Sequence, residues 1–389
     1  MREAGVVMSN YVYTLDGFGR MMGDYPRMSA YEKAVSRAVR PGDAVLDLGC
    51  GPGIMAMLAC QAGARRVYAV DTNPVVDFGR HLAAKNGFSD RIEFILGDSR
   101  RIELPERVNV IVSDIRGVVP LYAHAVRTLN DARERFLAPG GHLIPVRDVL
   151  MAAVVSAAGH FEELVGPWQR KGLDFSDALP LLLNSAYRAR AGTQRMLSPS
   201  HRWFTLDYSQ GACERAGADF KLIIEQDGIA HGLAIWFEAT LYEDIGYSTQ
   251  PEYHENISGR RFLPWLAPVS LQAGDEVHVS LHADLVGSEY IWRWDTKIPG
   301  RGSRNETIFR QSSFLGGAFF PSDLRKRASA SRPQLSAEGE AERWLFQSMS
   351  GERTLEEIAE EATRLFPVVF RRAEDAFTRA ADIAEKFAR

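Results

Sequence analysis

In the stretch DLGCGPGI, Gly49, Gly51 and Gly53 follow a β-branched run through Asp47 and open a helical pattern at Ile54. Glycine lets the backbone turn tightly and come close to a ligand, so a strand–turn–helix of this composition can cradle a nucleotide. Asp71 closes the next β-branched run, twenty residues after Gly51, with Thr72 beside it. A carboxylate there accepts hydrogen bonds from ribose hydroxyls.

Spacing alone leaves open whether that nucleotide is a dinucleotide or S-adenosylmethionine. Two further acidic strand ends separate them. Gly97-Asp98 ends the third run, with Ser99 next to it, and Val112-Ser113-Asp114 ends the fourth. Strand ends line the cleft of an open α/β sheet, and Asp98 with Ser99 suits contact with an adenine amino group. The whole set resembles the class I methyltransferase pattern. The resemblance implies S-adenosylmethionine as cofactor, S-adenosylhomocysteine as product, and Asp47, Gly49, Gly51, Gly53, Ile54, Asp71, Thr72, Asp98, Ser99 and Asp114 as its binding residues.

The elements that must position these residues alternate between strand and helix. From Pro41 to Pro145 the runs AVLDLG, RVYAVD, IEFILGD, VNVIVSD and GHLIPV are separated by helical patterns, which predicts a parallel Rossmann-like sheet. Residues 1 to 40 read as helices. After residue 145, runs such as DVLMAAVVSA, WFTLDYS and AIWFEATLY are joined by turns without crossover helices, the pattern of an antiparallel barrel or sandwich. Residues 323 onward are polar and linker-like, followed by amphipathic helices with Thr354 and Glu357 spaced as a capping box. The expected domains are 1–145, 146–305 and 306–389.

RMMGDYPRMSAYEKAV, Arg20 to Val35, is similar to the N-terminal motif of the protein arginine methyltransferase family. The resemblance implies that Arg27 grips the carboxylate of S-adenosylmethionine, a contact suited to the bidentate guanidinium fork. It also implies a Rossmann-like domain followed by a β-barrel, with HGLAIWFEATL and YSTQPE as barrel segments. WQRKGLDFSDALPLLL falls where the family has a helical arm that joins two subunits, so a homodimer is expected.

The resemblance breaks on the acceptor side. In that family two glutamates on one loop hold the substrate guanidinium through charge-assisted hydrogen bonds. In SDIRGVVPLYAHA their positions hold Asp114 and Ala123, and Arg116 adds positive charge. Removing one partner of a buried charge pair costs roughly 2–5 kcal/mol. The family's Thr-His-Trp loop aligns with Asn256, Ile257 and Ser258, with His254 out of register, and Phe18 lies near the place of a family histidine. The expected acceptor is therefore not arginine, and Asp114, Arg116, Tyr122 and His231 are the candidate catalytic residues. Arg116 facing the donor would suit an anionic or neutral acceptor; the alternative is that it pairs with a neighbouring acid.

AERWLFQSMSGERTLEEIAEEATRLFP resembles the PqqD-like modules that bind leader peptides of ribosomally made, modified peptides, with Phe309 to Arg327 supplying the preceding strands of a winged helix. Such modules add the peptide as a strand to a sheet edge, which raises its concentration near an active site. A peptide or leader peptide is thus the expected partner. A small-molecule natural-product methyltransferase and a non-catalytic scaffold are the competing readings. The net charge of -4 carries no basic bias toward nucleic acid. Cys50, Cys60 and Cys213 form no disulfide ladder and no zinc-ligand spacing, so no metal is expected. The N-terminus lacks a signal-peptide pattern, and no apolar run has membrane-span length, which points to a cytoplasmic protein.

Overall fold

The computed structural model describes residues 14–169, 172–189, 192–251, 259–302, 304–317, 325–326 and 328–388. The chain divides into two compact units, Met1–Ala318 and Phe319–Arg389.

The first unit opens with helices α1 (Leu15–Gly23) and α2 (Tyr25–Ala38). Along α2, Arg27, Tyr31, Ala34, Val35 and Ala38 are all buried, a helical stripe that turns one face inward. Strand and helix then alternate through β1 (Ala44–Leu48), α3 (Ile54–Gln61), β2 (Arg66–Asp71), α4 (Val76–Lys85), β3 (Ile92–Leu96), β4 (Val108–Ser113), α5 (Ala125–Phe136) and β5 (Leu137–Ile144). The five strands form the predicted parallel sheet in the order β3-β2-β1-β4-β5. β1 is buried at every position, as a central strand covered on both faces must be. The strand order reverses between β1 and β4. A crevice opens at their carboxyl ends, where ligands bind in sheets of this kind.

An antiparallel domain follows, beginning with β6 (Arg147–Ser156), α6 (Ala158–Val165) and α7 (Ala178–Leu183). Next come β7 (Tyr187–Ala189), β8 (Arg195–Met196), β9 (His201–Asp207), β10 (Arg215–Ile223), β11 (Gly228–Tyr242) and β12 (Ile245–Ser248). The last strands are β13 (Arg260–Leu271), β14 (Glu276–Val286), β15 (Glu289–Ile298) and β16 (Thr307–Phe309). They build a sheet ordered β7-β13-β11-β6-β8, with β12 on β11 and β9 on β6, and a second ordered β10-β14-β15-β16. One hydrophobic core runs from Val45 and Ile111 of the parallel sheet to Trp265, Trp292 and Trp294 of the antiparallel ones.

Two expectations are corrected. Residues 306–318, assigned from sequence to the C-terminal module, belong to the first unit, because β16 completes the edge beside β15. Among the described residues, the arm expected over Trp168–Leu183 is helical at Gly166–Trp168 and Ala178–Leu183, and it leaves Trp168, Leu173, Phe175 and Leu181 exposed. The aligned Asn256–Ser258 segment and His254 lie outside the described residues.

The second unit contains α8 (Ala337–Ser348), α9 (Leu355–Leu365) and α10 (Ala373–Phe387) around Leu345, Ile358, Phe370 and Ile383. The predicted capping box is present. The Thr354 hydroxyl accepts from the Glu357 N–H at 3.2 Å, and the Glu357 carboxylate accepts from the Thr354 N–H at 2.8 Å. Among the described residues this unit has no strand, so the strands expected from Phe309 onward are not found in it.

Candidate functional site

The crevice between β1 and β4 holds a cavity of about 350 Å³ whose lining includes Gly49, Asp71, Asp98 and Asp114. A smaller one, about 60 Å³, lies beside Arg27, Asp47, Gly51 and Ile54, and shares Phe18, Met21, Gly49 and Asp114 with the first. Every residue predicted to hold the cofactor except Gly53 lines one of these two cavities, with Thr72 and Ser99 on the larger.

The glycine turn is shaped by neighbours as well as by backbone angles. Gly49 and Gly51 have φ of +75° and +52°. A Cβ would lie 2.3 Å from the Ile115 side chain at Gly49 and 2.5 Å from the Phe18 ring at Gly51. No side chain fits at either position. Asp71 braces the same turn, accepting from the Gly51 N–H at 2.7 Å and from the Asn73 N–H at 2.8 Å. Asp47, 2% exposed, accepts from the Ala56 N–H at the start of α3. Burial pushes its carboxyl up to about 7, the Ala56 N–H opposes the rise, and the Asp71 charge adds to it.

At the far end, the Arg27 guanidinium pairs with Asp114 and donates to the Met21 carbonyl, while its Nε is buried without a hydrogen-bond partner. Asp98 lines the cavity, but its carboxylate is held by Arg100 at 3.0 and 2.7 Å, which lowers its pKa. A ligand amino group meets that carboxylate already paired.

Arg116 takes the second of its two expected roles, pairing with acids. It does not face the donor cavity. Its side chain is 1% exposed and turned inward. It donates to Asp148 Oδ1 at 2.7 Å, Asp114 Oδ1 at 3.1 Å, and the hydroxyls of Tyr31 and Tyr247 at 2.7 Å each. The rings of Tyr31, Phe237 and Tyr247 surround it at 5.3–5.9 Å. Tyr208 donates to the other oxygen of Asp148 at 2.7 Å. Burial pushes Asp148 up despite Arg116, whereas in Asp114 the two arginines outweigh burial and hold the carboxyl below its ordinary range. Arg116 is thus a positioning residue between the end of β4 and the first strand of the antiparallel domain.

His231 is also removed from the catalytic set. It lies six residues before Phe237 on β11, about 20 Å along an extended strand. Its Nδ1 accepts from the Ala157 N–H at 3.2 Å, its ring packs 5.5 Å from Phe161, and burial lowers its pKa. Tyr122 does reach the cavity. It is 43% exposed and packs over Gly117, where a Cβ would lie 2.6 Å from its ring. The sequence reading missed Tyr31, Asp148, Tyr208 and Tyr247, which complete the buried network, and Ile115, which closes on Gly49. His124 precedes α5 as its cap, and its Nδ1 is buried without a hydrogen-bond partner.

Arg116→Met leaves Asp148 and Asp114 short of a buried counter-charge and is expected to destabilise the fold by about 3–5 kcal/mol in urea unfolding. Adding Asp148→Asn should recover part of that loss. Asp47 gives a second test. Its raised pKa means that the folded protein keeps a proton the unfolded chain releases between about pH 4 and 7. Its ionisation therefore erodes stability as pH rises through that window. Asp47→Asn is expected to remove this slope, so its urea midpoint gains on the parent protein's between pH 5 and pH 8.

Comparison with known proteins follows the same division. A family model described as ribosomal protein L11 methyltransferase (PrmA) matches residues 23–146. A probable protein arginine N-methyltransferase 6 from Arabidopsis thaliana is 32% identical over 170 residues, 43% of this chain and 39% of its own length. Protein arginine N-methyltransferase 1 of Saccharomyces cerevisiae is 27% identical over 59% of this chain and 68% of its own. The Trypanosoma brucei PRMT1 enzyme–prozyme complex with AdoHcy superposes with a TM-score of 0.70 at 22% identity, over 78% of this chain and 99% of that one. Arabidopsis thaliana protein arginine methyltransferase 10 gives 0.68 at 22% identity, over 77% and 98%. The matches indicate an S-adenosylmethionine-dependent methyltransferase of arginine-methyltransferase-like fold, with S-adenosylmethionine as its cofactor.

Proposed function

We propose that the chain methylates an acceptor other than the arginine guanidinium, carried on a peptide. One observation bears most of the weight: the single carboxylate on the acceptor loop, Asp114, already has both oxygens engaged by Arg27 and Arg116. The second acidic position of the related enzymes is Ala123, which cannot accept a hydrogen bond from a substrate. A guanidinium substrate entering here would have to displace an internal arginine from Asp114 and would find no second acid.

The cradle fits S-adenosylmethionine. The turn at Gly49 and Gly51 lets Ile115 and Phe18 close in beside the cavities, Asp71 lines the larger one where ribose hydroxyls would bind, and Arg27 lines the smaller one, its Nε 3.7 Å from the Asp24 carboxylate. Bound there, the cofactor supplies a methyl group made electrophilic by a sulfonium. The chain's own contribution is orientation. Asp114 is a poor proton acceptor because its pKa is lowered, and no histidine lines either cavity among the described residues. An acceptor that is nucleophilic without losing a proton, such as a carboxylate, suits that arrangement.

The peptide carrier rests on the C-terminal unit, whose capped helices expose Phe346, Leu365, Phe377 and Phe387. Its lack of a strand among the described residues favours the second reading, a small-molecule acceptor with these helices as a structural appendage. The exposed apolar residues of the arm, Trp168, Leu173, Phe175 and Leu181, would be covered in a homodimer. The Trypanosoma relative is a heterotetramer by its description. The proposed location is the cytoplasm, with free Cys50, Cys60 and Cys213.

Heavy-methyl S-adenosylmethionine, added with the purified protein to lysate of the source organism lacking the gene, tests the reading by mass spectrometry. Label on a polypeptide at a residue other than arginine is the expected result. Methylarginine would overturn it, and label confined to small molecules would select the second reading.

A further inference from the structure

The positive charge expected from Arg116 is supplied by a different residue. Arg261 stands on β13 opposite Ile235 of β11, and Phe237, two residues further along β11, covers the Arg116 guanidinium. Register therefore places Arg261 on the core-facing side of the sheet, one strand over and two residues along from the network that holds Asp114. On its other side its cross-strand partner is Arg188, so two arginines meet in register.

The partners of Arg261 are few. Its Nη1 donates to the Ala186 carbonyl at 3.3 Å, its Nε is buried with no hydrogen-bond partner, and the guanidinium carbon lies 5.9 Å from the Trp292 ring centroid. Among the described residues no carboxylate pairs with it. Its neighbour Arg260, by contrast, is spent on the carbonyls of Thr249 and Pro251. Burial lowers the pKa of Arg261, and the Tyr122 phenol, on the rim of the cofactor cavity, is close enough to oppose that shift. A half-buried guanidinium with an idle Nε–H and an aromatic plane beside it suits a planar anion.

We propose that Arg261 binds a carboxylate of the methyl acceptor, beside Trp292 and near Tyr122, and so selects acidic acceptors. The inference rests on the non-arginine reading of the same site and names the substrate class.

Calorimetric titration of the full chain saturated with S-adenosylhomocysteine tests it. The probes are acetyl-Ala-Ala-Glu-amide, acetyl-Ala-Ala-Ala with a free terminal carboxylate, acetyl-Ala-Ala-Gln-amide and acetyl-Ala-Ala-Arg-amide. At least one carboxylate probe is expected to bind tenfold or more tighter than the glutamine probe, and which one does so separates a side-chain from a terminal carboxylate. Arg261→Gln should abolish that preference, Arg261→Lys should keep part of it, and S-adenosylhomocysteine affinity should stay unchanged in both, which reports an intact fold. Equal binding of acidic and neutral probes, no binding of any probe, or a preference that survives Arg261→Gln overturns the proposal. Preferential binding of the arginine probe would overturn the non-arginine reading as well, which separates the two failures.

Discussion

A guanidinium stripped of water is tolerated only where carboxylates and hydroxyls take over its hydration, and the junction of this molecule is organised around one such group. Burying an ion costs several kcal/mol unless its donors are satisfied. Arg116 meets that demand with Asp114, Asp148, Tyr31 and Tyr247, drawn from four separate segments of chain. Because those partners belong to α2, the end of β4, β6 and β12, satisfying one side chain fixes the parallel sheet against the antiparallel domain. The two textures visible in the sequence accordingly form one compact unit.

The same arrangement separates the donor half of the site from the acceptor half. The glycine turn, Asp71 and Arg27 are laid out for a cofactor with a ribose and a carboxylate. Across the cleft, the Asp114 carboxylate is engaged by Arg27 and Arg116, and Ala123 offers no second acid. In the proposed reading, an acceptor side whose carboxylate is engaged from within, with Arg261 nearby, takes a substrate of the opposite sign.

Much of this was legible in the sequence where burial imposes a pattern. Strands covered on both faces must be apolar throughout, so AVLDL and RVYAVD read directly as the core of a parallel sheet, and the glycine turn followed from its place between β1 and α3. The capping box was legible because it is local. The role of Arg116 was legible only as an alternative, pairing with a neighbouring acid, and its full set of partners was not. Its partners lie 2, 32, 85 and 131 residues away, and only the fold brings them together. One signal was present: Asp148 begins the otherwise apolar run DVLMAAVVS, and a charge on a buried strand requires a counter-charge. His231 misled for a related reason, since a histidine opening an apolar strand serves equally well as an acceptor for a backbone N–H. Trp168–Leu183 is less helical than the resemblance implied, and Gly172, at φ +85°, lies between its two helical pieces.

The central claim is that the Asp114 carboxylate is saturated from within. The most direct measurement is the carboxyl ¹³C resonance of Asp114, assigned by comparison with Asp114→Asn, followed against pH and against an arginine-rich peptide in the presence of S-adenosylhomocysteine. The account predicts a titration displaced below the ordinary aspartate range and no response to the peptide. A saturable shift on adding the peptide, or an ordinary titration, would show a carboxylate free to receive a guanidinium and would contradict it.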